Sequence, residues 1–319
     1  MELINDLTKP VSKRLLLLLL IVTVGSEMAL YLSRYSYFFS ELYDSIMIVS
    51  IFLAWKLHPR LGRTGTYASG TLRDSLGLSP VEPGGKKSFW HKGYISQFAA
   101  VFLLFNMASA VVNFYSYILF PGFNDNYQEY VEESIDTVQG GWDSFADDEG
   151  MVEPNDTSPV LEWFDFAGYD FYTSALAGFE EVYRLGYMIL FLLLFKKFLP
   201  LKWQQWPEEG LLMAVLFLSS LLFGIGHALD TPQSWDVTIG TIVTFTNMGL
   251  ILGILLLWSR NLWLLIAVHG VYDVLMTIEW YYYEAASVIF SVIILAAWAL
   301  EAVIRKISPE KENEIKASQ

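Results

Sequence analysis

Apolar residues occur in long runs that short polar segments separate, and this pattern predicts the architecture. The first run begins at Leu15, directly after Lys13 and Arg14, and continues past Gly25 to Leu32. About 20 predominantly apolar residues are enough to cross a bilayer as a helix. The predicted spans lie at about 14–33, 38–57, 94–120, 171–195, 209–229, 237–258, 261–279 and 281–304. The predicted fold class is therefore all-α, a polytopic membrane protein with about eight transmembrane helices.

Composition narrows the possible functions of this chain. It has 319 residues, of which 54% are hydrophobic, and it has no cysteine. Disulfides, a thiol nucleophile and a cysteine metal site are therefore excluded. The net charge of −14 argues against nucleic-acid binding. A cleaved signal peptide is the alternative interpretation of the first apolar run, but no polar segment follows Ala29 as it would after a cleavage site.

Basic residues are unevenly distributed between the connections. They collect at the N-terminus, in 58–92, at 196–202, at Arg260 and in the C-terminal tail, which are alternate connections of the eight predicted spans. Because cytoplasmic loops carry an excess of Lys and Arg, these connections are predicted to be cytoplasmic. We therefore expect an integral membrane protein of the plasma membrane of a prokaryote, with both termini in the cytoplasm.

The connection at 121–170 has no Lys or Arg, and its fourteen acidic residues equal the net charge of the chain. They are Asp125, Glu129, Glu132, Glu133, Asp136, Asp143, Asp147, Asp148, Glu149, Glu153, Asp156, Glu162, Asp165 and Asp170. Such a segment is either a solvated, partly disordered loop or a lid that selects substrates. It divides the chain into an N-terminal membrane region of three helices at 1–120, the acidic loop at 121–170, a membrane core of five helices at 171–304 and a charged tail at 305–319.

Three ionisable residues interrupt the fourth predicted span. Glu180, Glu181 and Arg184 lie in a run that is otherwise apolar to Phe195. Ionisable groups are costly inside a bilayer, so residues of this kind are candidates for a functional site. On a helix Arg184 shares a face with Glu180, four residues away, and also reaches Glu181. A carboxylate held by an arginine stays ionised and can act as a base, whereas the alternative is a structural ion pair that locks two helices.

Two of the four histidines lie inside predicted spans. His227 ends the segment that begins at Phe223, and His269 lies four residues before Asp273, on the same helical face. A single histidine in an apolar helix can simply be a core residue. Polar residues on three helices, however, are costly in lipid unless they satisfy one another by hydrogen bonds or ion pairs. We therefore predict that Glu180, His227 and His269 converge on one cavity. Glycines at 224, 226 and 270 are expected to let helices approach closely.

Three motifs stand in order along the chain, namely Glu180-Glu181 followed by Arg184, Phe223-x-x-x-His227 and His269-x-x-x-Asp273. They resemble the three motifs of the CAAX protease and bacteriocin-processing family of intramembrane proteases, in particular its CAAX prenyl protease 2-like members. The resemblance is sharp over about 175–275 and diffuse over 1–120. One difference is that two residues, rather than the usual three, separate the glutamate pair from the arginine.

The resemblance implies peptide-bond hydrolysis in a water-filled cavity between helices. It implies that Glu180 is the general base that activates water, and that His227 positions or polarises this water. His269 and Asp273 would stabilise the developing oxyanion or hold its donor. Because an ionised aspartate cannot donate a hydrogen bond, Asp273 is expected to orient His269.

The resemblance gives Glu181 and Arg184 a supporting role behind the catalytic groups. It implies a peptide or protein substrate and a lipid environment, with no cofactor. A zinc-dependent version remains an alternative, since two histidines and a glutamate can hold zinc with one open position. Two non-catalytic alternatives also remain: a membrane immunity or sensor protein that binds a peptide without cleaving it, and a transporter, which the lack of an evident internal repeat makes the weaker of the two.

Overall fold

The structure is a computed structural model that describes residues 2–62, 92–123, 171–229, 234–281 and 283–300. The described residues form helices and no strand. The helices are α1 (Glu2–Leu7), α2 (Lys13–Ser33), α3 (Tyr37–Leu57), α4 (Lys92–Leu119), α5 (171–177), α6 (Glu180–Phe198), α7 (Pro200–Gln205), α8 (Glu208–Leu229), α9 (Trp235–Ser259), α10 (Leu262–Tyr281) and α11 (Ala286–Leu300). The predicted all-α fold class is confirmed.

Six helices in the described ranges are long and apolar enough to cross a membrane, and they correspond to six of the eight predicted spans. These segments are Lys13–Ser33, Phe38–Leu61, Ser96–Leu119, Glu208–Ala228, Trp235–Ser259 and Leu262–Glu279. The remaining two predicted spans correspond to α6, which carries two acidic and three basic residues, and to the shorter apolar helix α11. Large apolar side chains such as Leu17, Trp55 and Phe114 lie exposed on the outside of the bundle. This arrangement is that of an integral membrane protein, in which such side chains contact lipid.

Helix α6 lies at the centre of the bundle. It packs against α2, α3, α8 and α10, and residues Glu181 to Ile189 are all buried. Lipid tails are as apolar as leucine, so close packing rather than the hydrophobic effect holds membrane helices together. Gly224 shows how close this packing is, because a Cβ atom there would overlap the Ile242 carbonyl oxygen and the Thr246 hydroxyl of α9. The expectation for this glycine is confirmed.

The fourth predicted span differs from the expected continuous helix at 171–195. The structure breaks it at Gly178 and Phe179, between α5 and α6. Around this break the amides of Phe179 and Val182 each donate to the carbonyl three residues earlier, at 2.8 and 2.9 Å. A turn with this tighter bonding pattern does not continue an α-helix. The break places the glutamate pair in the first turn of α6.

Some predictions fall outside the described residues. These are the basic connection at 63–91, the acidic loop at 124–170, the turn at 230–233 and the tail at 301–319.

Candidate active site

Two glycines bring the start of α6 against α10. A Cβ atom on Gly178 would overlap the carbonyl oxygen of Ile266, and one on Gly270 would lie 3.1 Å from the carbonyl oxygen of Ala175. Only residues without a side chain permit this approach of two backbones. The turn between α5 and α6 therefore sits directly on α10, one residue from His269.

A hydrogen bond between α5 and α10 fixes the same contact. The hydroxyl groups of Ser174 and Thr277 are 2.6 Å apart. Thr277 also donates to the carbonyl oxygen of Asp273 at 3.0 Å. Hydroxyl pairs of this kind satisfy polar groups between membrane helices. This bond holds the polar end of α10 in register with the glutamate pair.

Glu181 lies at the centre of a buried polar network. Its side chain is fully buried, and its two oxygens bind different partners. Oε1 accepts a hydrogen bond from Nδ1 of His269 at 3.0 Å, and Oε2 accepts one from Nη2 of Arg184. Of the two carboxylates that the sequence places within reach of Arg184, Glu181 accepts this hydrogen bond. The first and third motifs are thus joined through a single carboxylate.

Arg184 extends this network to α8 and α9. Its Nη1 donates to the carbonyl oxygen of Gly249 at 2.8 Å, and its guanidinium carbon lies 5.5 Å from the centroid of the Phe223 ring. The aromatic face attracts the cation, and the attraction is stronger away from water. Arg184 is only 1% exposed. Its position behind the glutamate pair indicates a residue that fixes helices rather than one that meets a substrate.

Both nitrogens of His269 face carboxyl groups. Nδ1 bonds Glu181, and Nε2 lies 3.4 Å from Oδ2 of Asp273 on the same helix. A carboxylate can only accept, so Nδ1 carries a hydrogen and donates it to Glu181. A proton carried by either Nε2 or the Asp273 carboxyl group can be donated to a third group. Glu181 therefore orients the ring from one side while Asp273 approaches it from the other.

His227 is oriented by its own helix. Its Nδ1 lies 2.9 Å from the carbonyl oxygen of Phe223, which can only accept a hydrogen bond, so Nδ1 carries the hydrogen. In the neutral ring Nε2 then bears a lone pair. The ring stacks on Phe245 of α9, with centroids 4.0 Å apart, and also contacts Phe223 at 4.4 Å. His227 is half-buried. The two aromatic contacts fix the plane of its ring, and Nε2 is the nitrogen that can accept a hydrogen bond.

Glu180 is half-buried and lies within reach of the other charged groups. The hydroxyl group of Tyr43 on α3 donates to its Oε1 at 3.2 Å. Glu180 also interacts electrostatically with Arg184 and with Asp273, and His227 interacts with His269 in the same way. The structure thus brings the six residues predicted from the three motifs into one cluster between α6, α8 and α10.

Two residues near this cluster were missed in the sequence. Glu27 of α2 interacts electrostatically with Glu180, and its carboxylate packs against Gly226, next to His227. Its signal was present in the sequence, because it is an acidic residue inside a predicted span. Tyr43 carries no such signal, since a tyrosine near the end of a membrane helix is common.

The side-chain geometry does not fit zinc. No group of three or more His, Asp or Glu side chains in the described ranges has an arrangement that could hold a metal ion. The chemistry of the donors agrees, because Nδ1 of His227 is bound to a backbone carbonyl and both nitrogens of His269 face carboxyl oxygens. No catalytic step is therefore assigned to a metal.

Comparison with known proteins identifies a family over part of the chain. Residues 171–275 match the family model described as type II CAAX prenyl endopeptidase Rce1-like. No curated protein and no solved structure matches the chain. The match spans about a third of the chain, from α5 into α10, and includes every motif residue of the cluster. The chain therefore carries a type II CAAX prenyl endopeptidase Rce1-like region at residues 171–275, which confirms the family resemblance of its three motifs.

Proposed function

We propose that this protein is an intramembrane endopeptidase that hydrolyses a peptide bond with water activated by Glu180. At the level of the family, the matched region is that of a CAAX-type endopeptidase. The observation that carries the proposal is the convergence of Glu180, His227 and His269 from three helices, with the buried Glu181–Arg184 pair behind them. A carboxylate base with imidazole groups suits hydrolysis without a thiol or serine nucleophile.

Two hydrogen-bond acceptors in the cluster can bind and activate one water molecule. Glu180 accepts a hydrogen bond from Tyr43 and interacts with Arg184, and both interactions favour its ionised form. Nε2 of His227 offers a lone pair, because Nδ1 donates to the carbonyl oxygen of Phe223. One water can donate one hydrogen to Glu180 and the other to His227. Glu180 then takes a proton while the water oxygen attacks the peptide carbon.

Stabilisation of the oxyanion is assigned to His269 and Asp273. As the carbonyl oxygen gains negative charge, it needs a donor at close range. A proton on Nε2 of His269 or on the Asp273 carboxyl group supplies an N–H or an O–H for this purpose. Glu181 holds the opposite nitrogen at 3.0 Å and so fixes the orientation of the ring. Glu181 and Arg184 are therefore positioning residues.

We also propose the topology that the basic connections predict, with both termini in the cytoplasm of a prokaryotic cell. Glu180 begins α6 and His227 lies two residues before the end of α8, so both lie near the same side of the bundle. This is the side that the acidic loop is predicted to occupy. Its fourteen carboxylates would repel acidic peptides and attract basic ones in a salt-dependent manner.

The experiment measures peptide cleavage by the purified protein in detergent micelles, with a library of internally quenched peptides. Glu180→Gln keeps the shape of the side chain but removes the base, and loss of one general base typically costs about 10²–10⁴-fold in rate. Glu209→Gln is the matched control, because Glu209 is exposed at the start of α8. Equal cleavage by the wild type and Glu180→Gln would contradict the proposal.

One observation favours a second candidate function, a membrane sensor or immunity protein that binds a peptide without cleaving it. The shortened spacing of the first motif places Arg184 in bonds with Glu181 and with the carbonyl oxygen of Gly249. These bonds alone would preserve the fold of an inactive relative. The same library distinguishes the two functions, because a binding protein would retain a peptide in a pull-down while every member of the library stays uncleaved.

A further inference from the structure

Glu27 is an acidic residue that the mechanism above does not use. It lies on α2, two residues after the end of the π-helical turn Ile21–Gly25. Such turns shift the register of the residues that follow and are frequent near functional sites. The Glu27 carboxylate packs against Gly226 of α8 so closely that a Cβ atom there would lie 2.9 Å from its Oε2. The next residue along α8 is His227, so Glu27 borders the active-site cluster.

A groove lies on the outer surface of α2 beside this residue. This α2 groove has a volume of about 420 Å³ and is lined by Val24, Glu27, Met28, Tyr31 and Leu32. Its surface is almost entirely apolar, and Met28 is 59% exposed toward the lipid side. Oε1 of Glu27 is buried and has no hydrogen-bond partner among the described residues. An unsatisfied carboxyl oxygen is thus left inside the bundle, beside the active-site cluster.

Glu27 and Glu180 are two carboxyl groups with different surroundings. Glu180 receives the hydrogen bond of Tyr43 and interacts with Arg184. The titratable groups of α6 that interact with Glu27 are Glu180, Tyr183 and Tyr187, none of them a cation. From α8, the backbone of Gly226 packs against its carboxyl group.

An isolated carboxylate without a cation is costly in an apolar groove, and a second carboxylate nearby adds repulsion. Glu180 therefore carries the negative charge of the pair, and Glu27 holds a proton. Pairs of carboxyl groups whose surroundings differ in this way supply one base and one acid to a reaction.

We propose that Glu27 is a further catalytic residue, the proton donor to the leaving amine. This proposal rests on the proposed endopeptidase function. Attack forms a C–O bond and transfers one water proton to Glu180, while the second water hydrogen stays on the attacking oxygen. The C–N bond then breaks, the oxyanion becomes a carbonyl again, and the proton of Glu27 moves to the nitrogen. Transfer of the proton from Glu180 to Glu27 restores both groups, and the products are a carboxylic acid and an amine.

The test compares a peptide with its ester analogue. A peptide that the wild type cleaves is resynthesised with an ester at the scissile bond, whose alkoxide leaves far more readily than an unprotonated amine. Glu27→Gln keeps the shape but has no proton to transfer, so we expect kcat for the peptide to fall by about 10²-fold or more. Cleavage of the ester by this variant should stay within a few-fold of the wild type. Glu41→Gln, at an exposed position of α3, is the matched control.

The outcomes separate this proposal from the proposed function. Loss of both activities in Glu180→Gln, with loss of peptide cleavage alone in Glu27→Gln, supports both proposals. Full peptide cleavage by Glu27→Gln overturns the role of Glu27 and leaves that of Glu180 intact. Equal loss of peptide and ester cleavage in Glu27→Gln also overturns it, because this is the result of a purely structural role.

A second measurement needs no substrate. Infrared spectra of the purified protein at neutral pH should contain the C=O stretching band of a protonated carboxyl group. This band should weaken in Glu27→Gln and not in Glu41→Gln. An unchanged band would overturn the proposal, because an ionised Glu27 has no proton to donate. A wild type that cleaves no peptide and no ester would overturn the proposed function and the role of Glu27 with it.

Discussion

Replacement of Arg184 by methionine tests whether the buried network fixes the helices of the site. Arg184 is 1% exposed and Glu181 is fully buried, so the substitution leaves an ionised carboxylate inside the bundle without its cation. Removing one partner of a buried ion pair typically costs about 3–5 kcal/mol. The bond to the carbonyl oxygen of Gly249 and the contact with Phe223 are lost as well. We expect Arg184→Met to lower the free energy of unfolding by this amount.

A double-mutant cycle separates the lost pair from lost packing. In the variant that combines Glu181→Gln with Arg184→Met, no unpaired carboxylate remains at this position. We therefore expect the double variant to be more stable than the sum of the two single effects predicts, by about 0.5–3 kcal/mol. The assay is reversible unfolding in mixed micelles of increasing dodecyl sulfate content, followed by tryptophan fluorescence. Lys202→Met, at an exposed position of α7, should change stability by no more than about 0.5 kcal/mol.

Two results would refute this reasoning. A loss below about 0.5 kcal/mol in Arg184→Met would mean that the guanidinium is replaceable by any side chain of similar length. Additive effects of the two substitutions would mean that Glu181 and Arg184 do not depend on each other.

Three further predictions concern packing, chemistry and topology. Gly178→Ala should move the turn before α6 away from the Ile266 carbonyl oxygen by about 1 Å, and should therefore lower kcat by about 10²-fold. Gly210→Ala is the control, because a Cβ atom there meets only ordinary contacts, and it should leave cleavage in the same assay unchanged. Tyr43→Phe removes one hydrogen bond to the base and should lower kcat/KM by about tenfold, with the unfolding midpoint nearly unchanged. An impermeant maleimide should label a cysteine introduced at 144 and not one at 88 in sealed cells, and the reverse pattern would invert the proposed topology.

The sequence predicts the helices better than it predicts the details of the site. Apolar runs mark the spans because a bilayer imposes a length on them. The same pattern does not reveal the break at Gly178, since apolar residues lie directly on both sides of it, at Ala177 and Phe179. The break depends on a backbone contact with Ile266, almost 90 residues away in sequence, which no local pattern encodes.

The candidate residues could be predicted, but not every contact between them. Helical spacing places both Glu180 and Glu181 within reach of Arg184, and only the packed structure gives the hydrogen bond to Glu181. The lone pair on Nε2 of His227 depends on a backbone carbonyl of its own helix, which the sequence does not orient. Glu27 could have been found by the rule that singled out Glu180, because both are acidic residues inside predicted spans.

The central claim is that Glu180 is the catalytic base and that the adjacent Glu181 is a positioning residue. A comparison of one substitution at each glutamate tests this claim most directly. Glu180→Gln and Glu181→Gln are compared with the wild type for peptide cleavage and for stability in mixed micelles. Glu180→Gln should lose cleavage by about 10²–10⁴-fold at nearly unchanged stability, because it removes a base from a half-buried side chain. Glu181→Gln should lose stability, because its fully buried carboxylate joins Arg184 to His269. Cleavage at the wild-type rate by Glu180→Gln would contradict the account and assign the base to another group.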